Sequence, residues 1–210
     1  MTMDANQKYL LLSWEEKFLA ADHSTDAFCV DVFRHAVLDD DVPVLFQCVS
    51  SKAALQFLDA AGVNLLQRAA DGSTLLMEKR IGVDDGAYRW LAEKFQTSQA
   101  VDLADDEGFT ALSIMIKFGE LGRARILLEC DASVDAYAEV KRYGGAKLDI
   151  PTQAVNCMPL AGVDAQDAVI AALKLLQEFG YRASPEQKQD LLARTAVHKP
   201  VVHTWIESNL

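Results

Sequence analysis

The chain has 210 residues, half of them apolar and 24% charged, with 31 acidic against 20 basic side chains and a net charge of −11. Such a length and composition suit one folded domain or a short solenoid with a real core, and exclude wholesale disorder. The acidic balance argues against a general nucleic-acid or anionic-membrane binder, which phosphate would repel at long range; it can favour a basic protein partner or serve only to keep the protein in solution.

The N-terminal stretch holds Tyr9, Leu10, Trp14, Phe18 and Leu19 at spacings that suit a helix packed on the first repeat-like helices. Its apolar run is soon interrupted by Glu15 and Glu16, so it reads as neither a secretory signal nor a membrane span. The four cysteines, Cys29, Cys48, Cys130 and Cys157, form no Cys-x-x-Cys pair. They read as reduced, mostly buried thiols, and the expected location is the cytoplasm.

Phe33-Arg34-His35-Ala36-Val37 has the pattern of a short first helix, with Asp40 at the corner after it. Asp39-Asp40-Asp41 lies just ahead of a helix opened by Pro43, where negative charge complements the helix dipole. A calcium loop would need ligands at alternate positions and a distal Glu.

Gly72-Ser73-Thr74-Leu75-Leu76 is matched 36 residues on by Gly108-Phe109-Thr110-Ala111-Leu112. Around the second copy, residues 105–108 are turn formers and Thr110 stands where its hydroxyl can cap a helix. Leu112, Met115 and Ile116 make one helical face, which Gly119 stops. Leu121, Ala124, Leu127 and Leu128 make a second face, ending at Asp131. Two such short helices cannot bury both faces alone and need neighbours on either side, as in a stacked repeat. Val63-Asn64, Val101-Asp102 and Val134-Asp135 recur at spacings of 38 and 33.

Further on, residues 164–180 form an amphipathic helix capped by Asp164, with Val169, Leu173, Leu176 and Phe179 on one face and Gly180 in the slot of Asp131. Ala183-Ser184 then corresponds to Val134-Asp135 at a spacing of 49, an excess of 16 over 33. The excess is expected as an insertion at about 137–152, with a hairpin turning at Gly144-Gly145. A two-residue turn there would set Arg142 opposite Lys147, like charges, so the register stays open. Lys141, Arg142 and Lys147, flanked by Tyr137 and Tyr143, make this the one basic spot. It reads either as a finger that reaches a partner or as an incidental elaboration. Ser184-Pro185-Glu186-Gln187 starts a helix with Leu191, Leu192 and Ala196 inside, and Pro200 starts a last one with Val202, Trp205 and Ile206.

Residues 105–136 resemble the ankyrin repeat: Asp105, Gly108, Thr110, Leu112, Gly119, Leu127, Leu128, Ala132, Val134 and Asp135 fall on motif positions. Ala111, Ser113 and Asp131 depart from the usual Pro, His and Gly. Residues 69–102 match in part, with Lys79 where the family has a small core residue, and 26–64 and 153–184 match weakly. The resemblance implies an all-α solenoid over 1–210, with 1–25 as an N-terminal cap, about four degenerate repeats over 26–184 and caps over 185–210. It also implies a protein-binding scaffold whose contacts come from turn tips and the exposed positions of first helices. Those positions are Asp106, Glu107, Phe109, Lys117 and Phe118 in one unit and Ala70, Asp71, Ser73 and Ile81 in the one before. The hairpin adds Lys141, Arg142, Tyr143 and Lys147. Phe109 and Phe118 are expected as anchors, since a large aromatic on an exposed tip needs a cover; the alternative for Phe118 is packing on the neighbouring repeat.

Chemistry is sparse. No phosphate loop and no Gly-x-Ser-x-Gly occurs, and the four histidines are scattered. No metal or cofactor is expected. The expected partner is another protein, a basic one included, with the chain a monomer or weak oligomer. A dedicated inhibitor or immunity-type protein, blocking a toxin or enzyme with its acidic surface, is the second reading. A Cys/His hydrolase is a third, since such partners meet only in the fold.

Overall fold

Twelve α-helices, one turn of 3-10 helix and one two-stranded sheet occupy the residues that the computed structural model describes: 5–35, 42–78, 84–140, 145–156 and 164–210. The chain divides into two compact units, residues 1–100 and 101–210. No helix among the described residues is long and apolar enough to cross a membrane.

In the first unit, α1 (Ala5–Leu12) and α2 (Trp14–Leu19) meet at Ser13. After them come α3 (Asp26–His35), α4 (Leu45–Cys48), α5 (Lys52–Ala60), the 3-10 turn Leu75–Met77 and α6 (Asp85–Thr97). α1 packs on α4, α2 on α3 and α5, and α5 on α6. Trp14 is fully buried among Phe18, Phe33 and Phe57, at ring-centre distances of 5.3, 5.2 and 6.1 Å. Its indole N–H donates to Asp26 at 2.7 Å, so the polar edge of a buried ring is satisfied. The Glu15 carboxylate accepts from the Ser50 and Ser51 amides at 2.9 and 2.5 Å, setting negative charge at the positive end of α5. Tyr9 and Leu19, expected on the packed face, are 68% and 57% exposed, and Leu11 is buried in their place. The helical step explains this: Leu11 and Trp14 share one stripe, Tyr9 and Leu12 another, and the core took the stripe holding the indole.

The second unit holds α7 (Ala111–Lys117), α8 (Leu121–Glu129), β1 (Tyr137–Val140), β2 (Ala146–Asp149), α9 (Ile150–Val155), α10 (Ala165–Glu178), α11 (Pro185–Thr195) and α12 (Pro200–Asn209). Here α7 packs on α9 and α9 on α11, while α8 packs on α10 and α10 on α12. Leu112, Met115, Ile116, Ala124 and Leu127 are buried as their spacing requires, as are Val169, Leu173 and Leu176. Each such Leu or Ile contributes about 1.5–3 kcal/mol by leaving water. Ala196, expected inside α11, is exposed, because the helix ends there and Thr195 takes the inner place.

Local signals set these boundaries. The Thr110 hydroxyl accepts from Ser113 N at 3.3 Å, Asp164 caps α10 through Gln166 N at 2.8 Å, and Ser184 and Gln187 cap each other across the first turn of α11. One stop recurs after α5, α6, α8 and α10. A residue with positive φ (Gly62, Gln99, Asp131, Gly180) is followed by an amide that bonds back: Val63 to Leu58 O, Ala100 to Phe95 O, Ala132 to Leu127 O and Tyr181 to Leu176 O.

The two Gly-x-Thr turns are also alike in detail. Arg68 bridges Thr74 as Ala104 bridges Thr110, Ala69 N bonds Ser73 O as Asp105 N bonds Phe109 O, and Gly72 N bonds Ala69 O as Gly108 N bonds Asp105 O. Every one of these pairs is repeated 36 residues on.

The expected hairpin is present; its register, left open by the sequence, is now fixed, and its bounds are corrected. It pairs Tyr137 with Asp149, Ala138 with Leu148, Glu139 with Lys147 and Val140 with Ala146, so Lys147 faces a carboxylate rather than Arg142. It also ends at Asp149, whose side chain caps α9 through Thr152 N at 2.9 Å; residues 150–152 belong to that helix and not to an insertion over 137–152. The hairpin lies between α8 and α9 and starts 33 residues after Ala104, where a short turn tip would be. Set against a spacing of 33, the 16 extra residues fall six before Asp149, five between Asp149 and the start of α10, and five within α10, which has 14 residues to the 9 of α8.

Candidate functional site

The tip before α7 is built by Asp105, whose Oδ1 accepts from Glu107 N at 2.9 Å and Phe109 N at 2.8 Å. That draws the backbone into a tight loop with Gly108 at φ +87°. β1 lies directly against it: a Cβ on Gly108 would stand 3.1 Å from Ala138 Cα and from Glu139 N. Glycine is therefore required there for both its conformation and its size.

Phe109 does not stand on an exposed tip. It is 7% exposed and packs with Ala138 and Val140, flanked by Ile114 and Leu148. The cover that a tip aromatic needs is supplied by the chain's own hairpin, and strand alternation explains how. Ala138 and Val140 point inward, which leaves Tyr137 and Glu139 on the solvent face. Phe109 thus anchors the finger to the tip and is closed to a partner.

The other expected residues take varied places. Asp106 is exposed and Glu107 half-buried. Lys117 and Phe118 are half-buried at the end of α7, with the Lys117 ammonium 5.1 Å from the Phe109 ring centre and 5.7 Å from that of Phe118. In the first unit, Asp71 is exposed and its Oδ1 accepts from the Ser73 hydroxyl at 2.6 Å and the Ser73 amide at 2.9 Å. The Ser73 hydroxyl holds the Asp71 carboxyl below the usual carboxylate range. Lys147 is exposed, with its ammonium 4.8 Å from the Tyr137 ring centre. Ile81, Lys141, Arg142 and Tyr143 lie outside the described residues, as do Asp39–Asp41, Lys79 and Cys157.

An open groove of about 480 Å³ between tip and hairpin is lined by Asp105, Asp106, Glu107, Gly108, Tyr137 and Glu139. Glu139 and Asp105 were not among the expected contacts. The signal that could have found Glu139 is the alternation in Tyr-Ala-Glu-Val, which pairs it with Tyr137 on one face. Tyr137 is 54% exposed.

No family model matches the chain, and no curated protein matches its sequence. The arrangement itself limits the chemistry. The groove offers carboxylates and a phenol ring, and none of the expected nucleophiles lines it. Cys29 and Cys130 are buried, and burial pushes the Cys29 thiol up, away from the thiolate that a nucleophile needs. Among the described residues, no three His, Cys, Asp or Glu side chains gather where a metal could sit.

Proposed function

We propose that this protein is an ankyrin-like scaffold that binds another protein through its turn tips, the ends of its first helices and the hairpin. The observation that carries the reading is the repeated turn: the same bridges and the same backbone hydrogen bonds at 68–74 and 104–110. It is supported by the like-on-like packing of α7, α9 and α11 and of α8, α10 and α12. A repeated turn that sets side chains at fixed intervals is a way to present a surface. The hairpin is then one such tip, lengthened and pinned by Phe109.

An inhibitor that covers a basic site on a toxin or enzyme is a special form of the same reading, favoured by the carboxylates at the tip. It would associate faster, and more salt-dependently, than a neutral scaffold.

Copurification from the native cell identifies the partner, and its affinity is then measured against variants. Lys117→Ala and Asp106→Ala are expected to weaken binding with an unchanged circular dichroism spectrum. A partner held equally well by both, and by a hairpin with Lys147→Ala, would contradict the reading.

A further inference from the structure

A surface helix needs one apolar row, and α1 with α2 carries two. The inner row, Leu11 and Trp14, is buried in the first unit. Every member of the outer row, Tyr9, Leu12 and Leu19, is more than half exposed. The helical step carries across the junction, because Ser13 keeps a right-handed backbone, its amide bonds Tyr9 O, and the Lys17 amide bonds Ser13 O. Steps of three, four and seven residues then set Tyr9, Leu12, the exposed Glu16 and Leu19 on one side.

The charges on this row say what can cover it. Lys8 stands four residues before Leu12 in the sequence and Glu16 four after. Consider a second copy laid antiparallel, with the two-fold axis at Leu12. Residue 8 of each copy then lies opposite residue 16 of the other, so unlike charges meet twice. Laid parallel, 8 would meet 8 and 16 would meet 16, like charges both times. This balance matters because the whole chain carries −11 and two copies repel. Over residues 8–19, Lys8 and Lys17 offset Glu15 and Glu16, and Glu15 is turned inward onto the Ser50 and Ser51 amides.

We propose that the outer face of α1 and α2 is a self-association surface, on which a second copy of this chain docks antiparallel across Leu12. Leu12 packs on the second copy's Leu12, Tyr9 and Leu19 widen the apolar strip, and the charges at 8 and 16 set the direction. Each copy contributes one helix of eight residues and one of six. So small an interface falls below the roughly 1,200 Å² of a stable complex, and the dimer is a weak one.

Sedimentation velocity on the full chain, at low salt and from about 5 to 500 μM, tests this. A reversible monomer–dimer equilibrium is expected, weakened at least about tenfold by Glu16→Lys alone or by Lys8→Glu alone. Mixing these two variants should give a heterodimer, and both changes in one chain should restore the homodimer, since unlike charges face each other again. Glu93→Lys on α6 makes the same change in net charge as Glu16→Lys and should leave association within about twofold of the wild type. Leu12→Ala should weaken the dimer with an unchanged circular dichroism spectrum. A monomer throughout the range would overturn the proposal, and so would a dimer indifferent to Glu16→Lys and Leu12→Ala. Two single variants that stay apart when mixed would overturn it as well. Binding of a partner at the turn tips does not depend on this outcome.

Discussion

At the scale of single residues, Phe109 shows how a surface position becomes a core one. Its place in the repeat pattern points to an exposed tip, and only the hairpin 28 residues further along covers it. Phe109→Ala should therefore cost about 3 kcal/mol of stability in urea unfolding, as expected for deleting a buried aromatic. A loss under 1 kcal/mol would return it to the surface. Tyr181 presents the opposite case. Its ring is buried, and its hydroxyl has no hydrogen-bond partner among the described residues. Burial, with Asp149 and Asp135 near, pushes that phenol up to about 12. The unfolded chain loses this proton near pH 10 and the folded one keeps it, so stability should fall as pH rises from 10 to 12, by roughly 1.4 kcal/mol per unit. Tyr181→Phe should remove that fall and leave stability at pH 7 equal or higher, read by denaturant midpoints at both pH values. A loss of more than about 1 kcal/mol at pH 7 would mean that the hydroxyl is bonded after all.

At the scale of elements, most boundaries were legible because they are set by neighbours in sequence. Asp164, Ser184 with Gln187, and Thr110 act on amides two or three residues away, and Gly180 or Asp131 stops the helix just before it. The pairing register was not legible, since it depends on how β1 meets the tip at Gly108, a contact between residues 30 apart. The choice between the stripes of Tyr9 and Leu11 was hidden for the same reason: both are apolar, and the aromatic cluster around Trp14 decides. Two variants probe this scale. Gln99 holds φ +56° at a helix stop where two of its counterparts are glycine, so Gln99→Gly should raise stability by about 0.5–1 kcal/mol in thermal melts. Gly108→Val should cost at least about 2 kcal/mol, because a β-branched residue resists that φ and its Cβ meets β1; an unchanged melting temperature would contradict the close approach.

At the scale of the molecule, the proposed account is that repeated helix pairs and their tips offer a surface to another protein. Of the candidate site, the acidic tip could be read directly from Asp105-Asp106-Glu107. The aromatic wall could not, because Tyr137 reaches the tip only through the fold of the hairpin. Shortening the chain by residues 141–147 would take Ala146 and Lys147 out of β2 and loosen the cover on Phe109. That deletion is expected to lower stability by about as much as Phe109→Ala.

The central claim is tested most directly by hydrogen exchange on the chain with and without its copurified partner. Slowed exchange is predicted at the tip 105–109, the end of α7 and the hairpin 137–149, with the outer face of α12 unchanged. Protection confined to α12 or to α1, with tip and hairpin exchanging as in the free chain, would contradict it.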